Sequence, residues 1–161
     1  MKKINFTIII LCLLVFASCK KNNPATSYPY GSWTLNNTTF KVTSCAADSA
    51  GVDLAALDSL TGNPSCNLIV YFNNALPTAS GTYTVAIQNS LPAAGQVSIG
   101  VGYVAPSVLN NYISTGGGGN QKVNVTVSGG KISISGTGIE MVNIGLGTDS
   151  AALTFNITQT Q

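Results

Sequence analysis

The sequence predicts an all-β domain: an antiparallel β-sandwich or barrel of about nine short strands. Three observations carry this. From Gly31 onward apolar and polar residues alternate with period two. Turn-forming pairs such as Asn36-Asn37 and Gly129-Gly130 separate the alternating runs. No amphipathic stretch long enough for a crossover helix lies between them, so parallel βαβ units are not expected. The chain has 161 residues, which suits one domain with its own core.

Composition narrows the function classes. Charged residues make up 7% of the chain, far below the usual quarter. There is no His and no Arg, and the acids are Asp48, Asp53, Asp58, Asp149 and Glu140. Without a basic patch to neutralise phosphates, nucleic acid is not an expected partner. Abundant β-branched residues and a small net charge argue against disorder.

The chain opens on Lys2 and Lys3, followed by ten residues without polar side chains apart from Cys12, from Ile8 to Ala17. About 20 apolar residues are needed to span a bilayer, so residues 1–18 read as a signal peptide with a positive n-region and an apolar h-region. Its removal discards two lysines. The remainder keeps Lys20, Lys21, Lys41, Lys122 and Lys131 against the same five acids, a balanced domain with little long-range steering.

Phe16-Ala17-Ser18-Cys19 resembles a bacterial lipobox, with small residues before a cysteine. Phe16 departs from the usual Leu. The Ser-Cys-Lys-Lys ending looks like lipoproteins of the Bacteroidota. The resemblance implies that Cys19 receives a diacylglycerol thioether before cleavage and that its amine is acylated afterwards. Several acyl chains would anchor the protein stably, since one binds only marginally. Residues 19–30 follow as a flexible tether with two prolines. The eleven residues after Cys19 reach roughly 20 Å, which keeps the single β domain, residues 31–161, close to the membrane. Surface export in such lipoproteins often follows an acidic stretch after the cysteine. Lys20-Lys21-Asn22-Asn23 lacks one, so an outer or cell-membrane protein facing the periplasm is expected.

Within the domain, Ser32-Trp33-Thr34-Leu35 and Thr38-Thr39-Phe40-Lys41-Val42 flank Asn36-Asn37 and predict a two-residue hairpin with Trp33 opposite Phe40. Between Cys45 and Cys66, Leu54, Leu57 and Leu60 recur every third residue, predicting a short helical or irregular insertion. In an exported chain, Cys45 and Cys66 are the expected disulfide. Leu68 to Phe72 is apolar on both faces, as in a central, doubly covered strand. Thr82 to Gln88 alternates. Val97, Ile99, Val101 and Tyr103 alternate against Ser98, Gly100 and Gly102, small residues that invite a close neighbour or a bend. Residues 105–111 read as loop, Tyr112 to Ser114 as a short edge piece, and Gly116 to Gly119 as a flexible tip.

The clearest hairpin joins Val123 to Ser128 with Lys131 to Ser135 through Gly129-Gly130. Its register sets Val127 opposite Ile132 and Val125 opposite Ile134. Ile139 to Ile144 is a further strand, and Ala151, Leu153, Phe155 and Ile157 alternate in the last.

The inventory offers little for catalysis, and no catalytic, cofactor or metal residue is expected. General acid–base work mostly uses His. Glycosidase chemistry needs two facing carboxylates, for which only Glu140 and Asp149 come into view. Asp48, Asp53 and Asp58 recur every five residues without the spacing of an EF-hand. Asp48-Ser49-Ala50, Asp58-Ser59-Leu60 and Asp149-Ser150-Ala151 instead resemble the O-glycosylation acceptor of exported Bacteroidota proteins, which makes Ser49, Ser59 and Ser150 candidate glycan sites. Asp and Ser also favour turns in their own right.

The expected function is a lipid-anchored, non-catalytic binding or accessory module of the cell envelope. Its partner would be an envelope protein or a glycan, met by Tyr28, Tyr30, Tyr103 and Tyr112. The alternative is a fimbria-like assembly subunit that donates or accepts a strand, with the segment from Ala151 to Ile157 as donor.

Overall fold

The computed structural model describes residues 28–160 apart from 52, 59–65, 90, 105–108 and 146. The signal peptide, Cys19, most of the tether and Ser59 lie outside the described residues.

Among the described residues the chain forms eleven strands and no α-helix. In order these are β1 (Gly31–Leu35), β2 (Thr38–Lys41), β3 (Ser44–Ala47), β4 (Asp53–Leu57), β5 (Asn67–Phe72), β6 (Gly81–Val85), β7 (Gln96–Val104), β8 (Leu109–Ser114), β9 (Lys122–Ser128), β10 (Lys131–Asn143) and β11 (Ser150–Thr158). Hydrogen bonding runs β2-β1-β11-β10-β9-β6-β7-β5-β4-β3. β8 joins β7 to β10 and closes a ring through β9 and β6. All pairs are antiparallel except β6 with β7, which meet over two residue pairs.

The pivot is β10. Its first half, from Lys131 to Gly136, pairs with β9, and its end, from Met141 to Asn143, pairs with β8. Between them the register against β11 shifts from Gly136 to Ile139. Gly138 sits there at φ +62°, a conformation that costs glycine nothing. Such a bulge bends the strand, so one strand serves two neighbours and the sheet folds over.

Two wings extend from the ring, β11-β1-β2 and β5-β4-β3, and they face each other. The Phe40 ring of β2 lies 5.5 Å from that of Tyr103 on β7. The Thr160 N–H donates to the carbonyl of Cys45 at 2.7 Å. The Lys41 N–H donates to the Asp58 carboxylate at 3.0 Å. The result is a barrel-like sandwich whose two inner faces share one apolar core that includes Trp33, Leu54, Ile99 and Leu153.

Both predicted hairpins form in the expected register. Trp33 stands opposite Phe40 with rings stacked at 5.3 Å, and Val127 opposite Ile132. Elsewhere the structure corrects the sequence reading. Leu54 and Leu57 belong to strand β4 rather than a helix, because only one face is needed: Leu54 and Ala56 turn inward and Leu57 outward. The rest of that insertion, residues 59–65, lies outside the described residues. β8 is no edge piece, since it is hydrogen-bonded on both sides. The four glycines from Gly116 all take positive φ, and three of them form a tight 3-10 turn.

The expected Cys45–Cys66 disulfide is absent. Both thiols are buried and too far apart to bond to each other. β4 explains why: Cys45 pairs with Ala56, which pairs on its other side with Leu68, two residues beyond Cys66. Two strand spacings separate the cysteines by roughly 10 Å, whereas a bridge needs Cα atoms within about 7 Å.

Candidate functional site: a glycine-floored trough

The outer face of β5, β7 and β8 is concave. Inward residues of these strands, such as Leu68, Val70, Ile99 and Val101, build the core, and the alternate positions face out. On β7 those outward positions are Ser98, Gly100 and Gly102. With no side chains beyond a hydroxyl, they form a floor. Asn67, Ile69 and Tyr71 of β5 stand on one side, and Asn111 and Ile113 of β8 on the other. The parallel contact between β6 and β7 requires residues 86–95 to loop back over the sheet. That loop brings Gln88, Leu91 and Pro92 to one end.

Two depressions of about 440 and 540 Å³ share Tyr71, Gln88, Ile113 and Ile144 and make one continuous trough. Its Asn67–Asn111 end is rich in amides. Its other end, at Phe72, Leu91 and Pro92, is more apolar apart from Asp53 and Asn89, and Ile144 stands on the rim between the two. Leu91 is 72% exposed and Ile144 59%, so this rim presents apolar surface to solvent. Ile144 is pinned there by its N–H, which donates to the Asn111 carbonyl at 2.8 Å.

The glycines are needed for their size. A Cβ on Gly100 would lie 3.0 Å from both heteroatoms of the Gln88 amide. A Cβ on Gly102 would lie 3.0 Å from Asn67 Oδ1, which accepts the Gly102 N–H at 3.1 Å. The Gln88 side chain therefore rests directly on the floor. Its Oε1 is buried and has no hydrogen-bond partner. A buried acceptor left unpaired costs about 1–3 kcal/mol; Oε1 lies against the Gly100 floor, so it meets a ligand's donor only when the side chain turns outward.

Among the described residues, Asp53, across the ladder from Tyr71, is the only charged one lining the trough. Burial, and then the neighbouring Asp48, raises its carboxyl above the ordinary range. Burial and then Asp53 raise the Tyr71 phenol, while a hydrogen bond with Gln88 acts in the opposite sense. Tyr71 is therefore neutral at physiological pH, able to donate and accept.

The residues singled out in the sequence scatter. Tyr103 and Tyr112 are not at loop tips: they stack inside the sandwich at 6.2 Å, and Tyr112 is buried. Tyr30 packs against the core, and Tyr28 lies under the Lys41 ammonium at 5.0 Å. Glu140 faces outward beside Thr115. Asp149 accepts from the Tyr112 hydroxyl and from the Asn143 amide, so the two acids do not meet.

The aspartates of the Asp-Ser motifs all serve the fold. Asp48 accepts the N–H groups of Ala50 and Asp53 at 3.2 and 3.1 Å, closing a turn. Asp58 is buried and accepts from Lys41. Ser49 and Ser150 are exposed. Among the described residues no group of three or more His, Cys, Asp or Glu could hold a metal ion, and no helix is long and apolar enough to cross a membrane. The β11 segment is an interior strand, paired with β1 and β10.

Tyr71 and Gln88 were not among the sequence candidates. Two signals pointed to them. β5 is apolar on both faces, and its neighbour β7 has small residues on the same outward face. The second apolar face of β5 is half-buried and lines the trough instead of lying under a further layer.

The chain matches no protein-family model, and no curated protein or solved structure is significantly similar to it.

Proposed function

We propose that the protein is a lipid-anchored, non-catalytic binding module of the cell envelope, and that the trough over β7 is its ligand site. One observation carries this reading. A concave surface with an exposed apolar rim and a buried, unpartnered amide oxygen lies on the face of the sheet rather than in the core. Pockets that combine apolar walls with a few convergent polar groups are the usual form of a ligand site. The lipobox-like Cys19 supports the anchor, and the tether holds the trough near the membrane, facing the periplasm.

A footprint tests the site. Ile144→Cys introduces a thiol at the trough rim, and Glu140→Cys one on exposed surface outside the trough. In native envelopes a bulky maleimide should label Ile144→Cys severalfold more slowly than in the purified protein, while Glu140→Cys labels equally in both. Equal labelling of both variants in both settings would count against occupancy of the trough.

The exposed hydroxyls of Ser49 and Ser150, with Ser59, are proposed acceptors for O-linked glycan. Intact-mass measurement of the native protein reads both modifications at once. It should show the chain from Cys19 with acyl groups and added sugar; a bare polypeptide plus lipid would remove the glycan proposal.

A further inference from the structure

Resting on that reading, we infer that the ligand of the trough is a neutral saccharide. Four features select this class. Among the described residues no lysine lines the trough, and its single charge is the Asp53 carboxylate. A phosphate, carboxylate or nucleotide would meet a like charge and find no cation to offset its desolvation. The Asp53 carboxylate is an acceptor at the trough wall, and the Gln88 amide, whose Oε1 is unpartnered, becomes one when its side chain turns off the floor; a polyol brings several hydroxyl donors to them. Asn67 and Asn111 add amide donors, which hydroxyl oxygens accept.

The third feature is amphipathic shape. A sugar ring has polar edges and an apolar C–H face, and the trough pairs an amide-rich end with a wall of Ile113, Ile144 and Leu91. Tyr71 joins the two halves, offering an apolar ring with a polar tip. The fourth is backbone pairing. β7 is hydrogen-bonded to β5 and to β8, so the trough has no free strand edge along its floor. A peptide could not add to it as a strand, which removes the main source of affinity for extended peptides.

The test is calorimetric titration of the full-length chain in mild detergent with seven probes. Cellotetraose, maltotetraose, xylotetraose and chitotetraose are neutral; tetragalacturonate is anionic; spermidine is cationic; a neutral decapeptide represents chain ligands. The expected result is binding of at least one neutral tetrasaccharide. Gln88→Ala and Tyr71→Ala should each weaken it about tenfold, with Glu140→Gln unchanged. Thermal melting of each variant separates loss of binding from loss of fold, and Ile144→Ser at the exposed rim provides a substitution outside the packed floor.

Binding confined to tetragalacturonate, spermidine or the decapeptide would overturn the saccharide class while keeping the trough, provided Gln88→Ala weakens it. Saccharide binding indifferent to all three trough variants would overturn the assignment of this site. Silence from all four neutral probes would overturn the class, and the trough would then stand or fall on the Ile144→Cys footprint.

Discussion

Single residues in this protein are held by packing more than by charge. Asp149 shows what the few charges do. Its carboxyl lies below the ordinary value near 3.8, chiefly because the Tyr112 hydroxyl donates to it and then because Asn143 does. A carboxyl depressed in the folded state contributes stability that is present above its unfolded value. That contribution is lost as pH falls through the folded value. Tyr112→Phe removes the main cause. The melting temperature of Tyr112→Phe should therefore fall less steeply than that of the parent between roughly pH 5 and pH 2, as measured by scans at fixed pH steps. Parallel curves would show that the hydroxyl contributes nothing to acid sensitivity. At the other extreme, burial pushes the Cys45 thiol up to about 12. It remains protonated and behaves as a small core hydrophobe.

At the scale of elements, β10 decides the architecture, and its bend depends on one glycine. At Gly138 nothing lies within 4 Å of an added Cβ, yet its φ is +62°. A side chain there would meet no steric block from neighbours and would pay only for the left-handed backbone, about 1–2 kcal/mol. Gly138→Ala should lower unfolding stability by that amount in urea titrations, with the denaturant slope unchanged. A neutral result would mean that the bulge relaxes into another register.

The free edge of β2 is short, and Thr38, Thr39 and Lys41 are polar, a composition that resists pairing with other chains. The hairpins were legible from sequence because their information is local: Asn36-Asn37 and Gly129-Gly130 set both turn and register. β4 was not legible, because leucines three apart fit a helix as well as a strand with one exposed position. Only pairing with β3 and β5, set by distant residues, resolves it. The place of β8 depends in the same way on a partner change along β10 that no local pattern announces.

The whole molecule is a barrel-like sandwich with a ligand-sized trough on one outer face. Sequence patterning gave its class, since period-two alternation needs only a core on one side. The trough was half visible. Gly100 and Gly102 marked a close neighbour, but that neighbour, Gln88, arrives from a loop whose path depends on the parallel β6–β7 contact. The cysteine pair was misread for a related reason: sequence separation suited a bridge, and the intervening strand β4 prevents it.

Under the proposed function this trough, and not the aromatic core or the strand edges, receives the ligand. Chemical-shift mapping of the ¹⁵N-labelled chain during titration with the four neutral tetrasaccharides tests it most directly. Shifts should concentrate at Asn67, Tyr71, Gln88, Gly100, Gly102 and Asn111, with β2 and β3 silent. Shifts centred on the β2 or β3 edge, with the β7 floor unmoved, would contradict it.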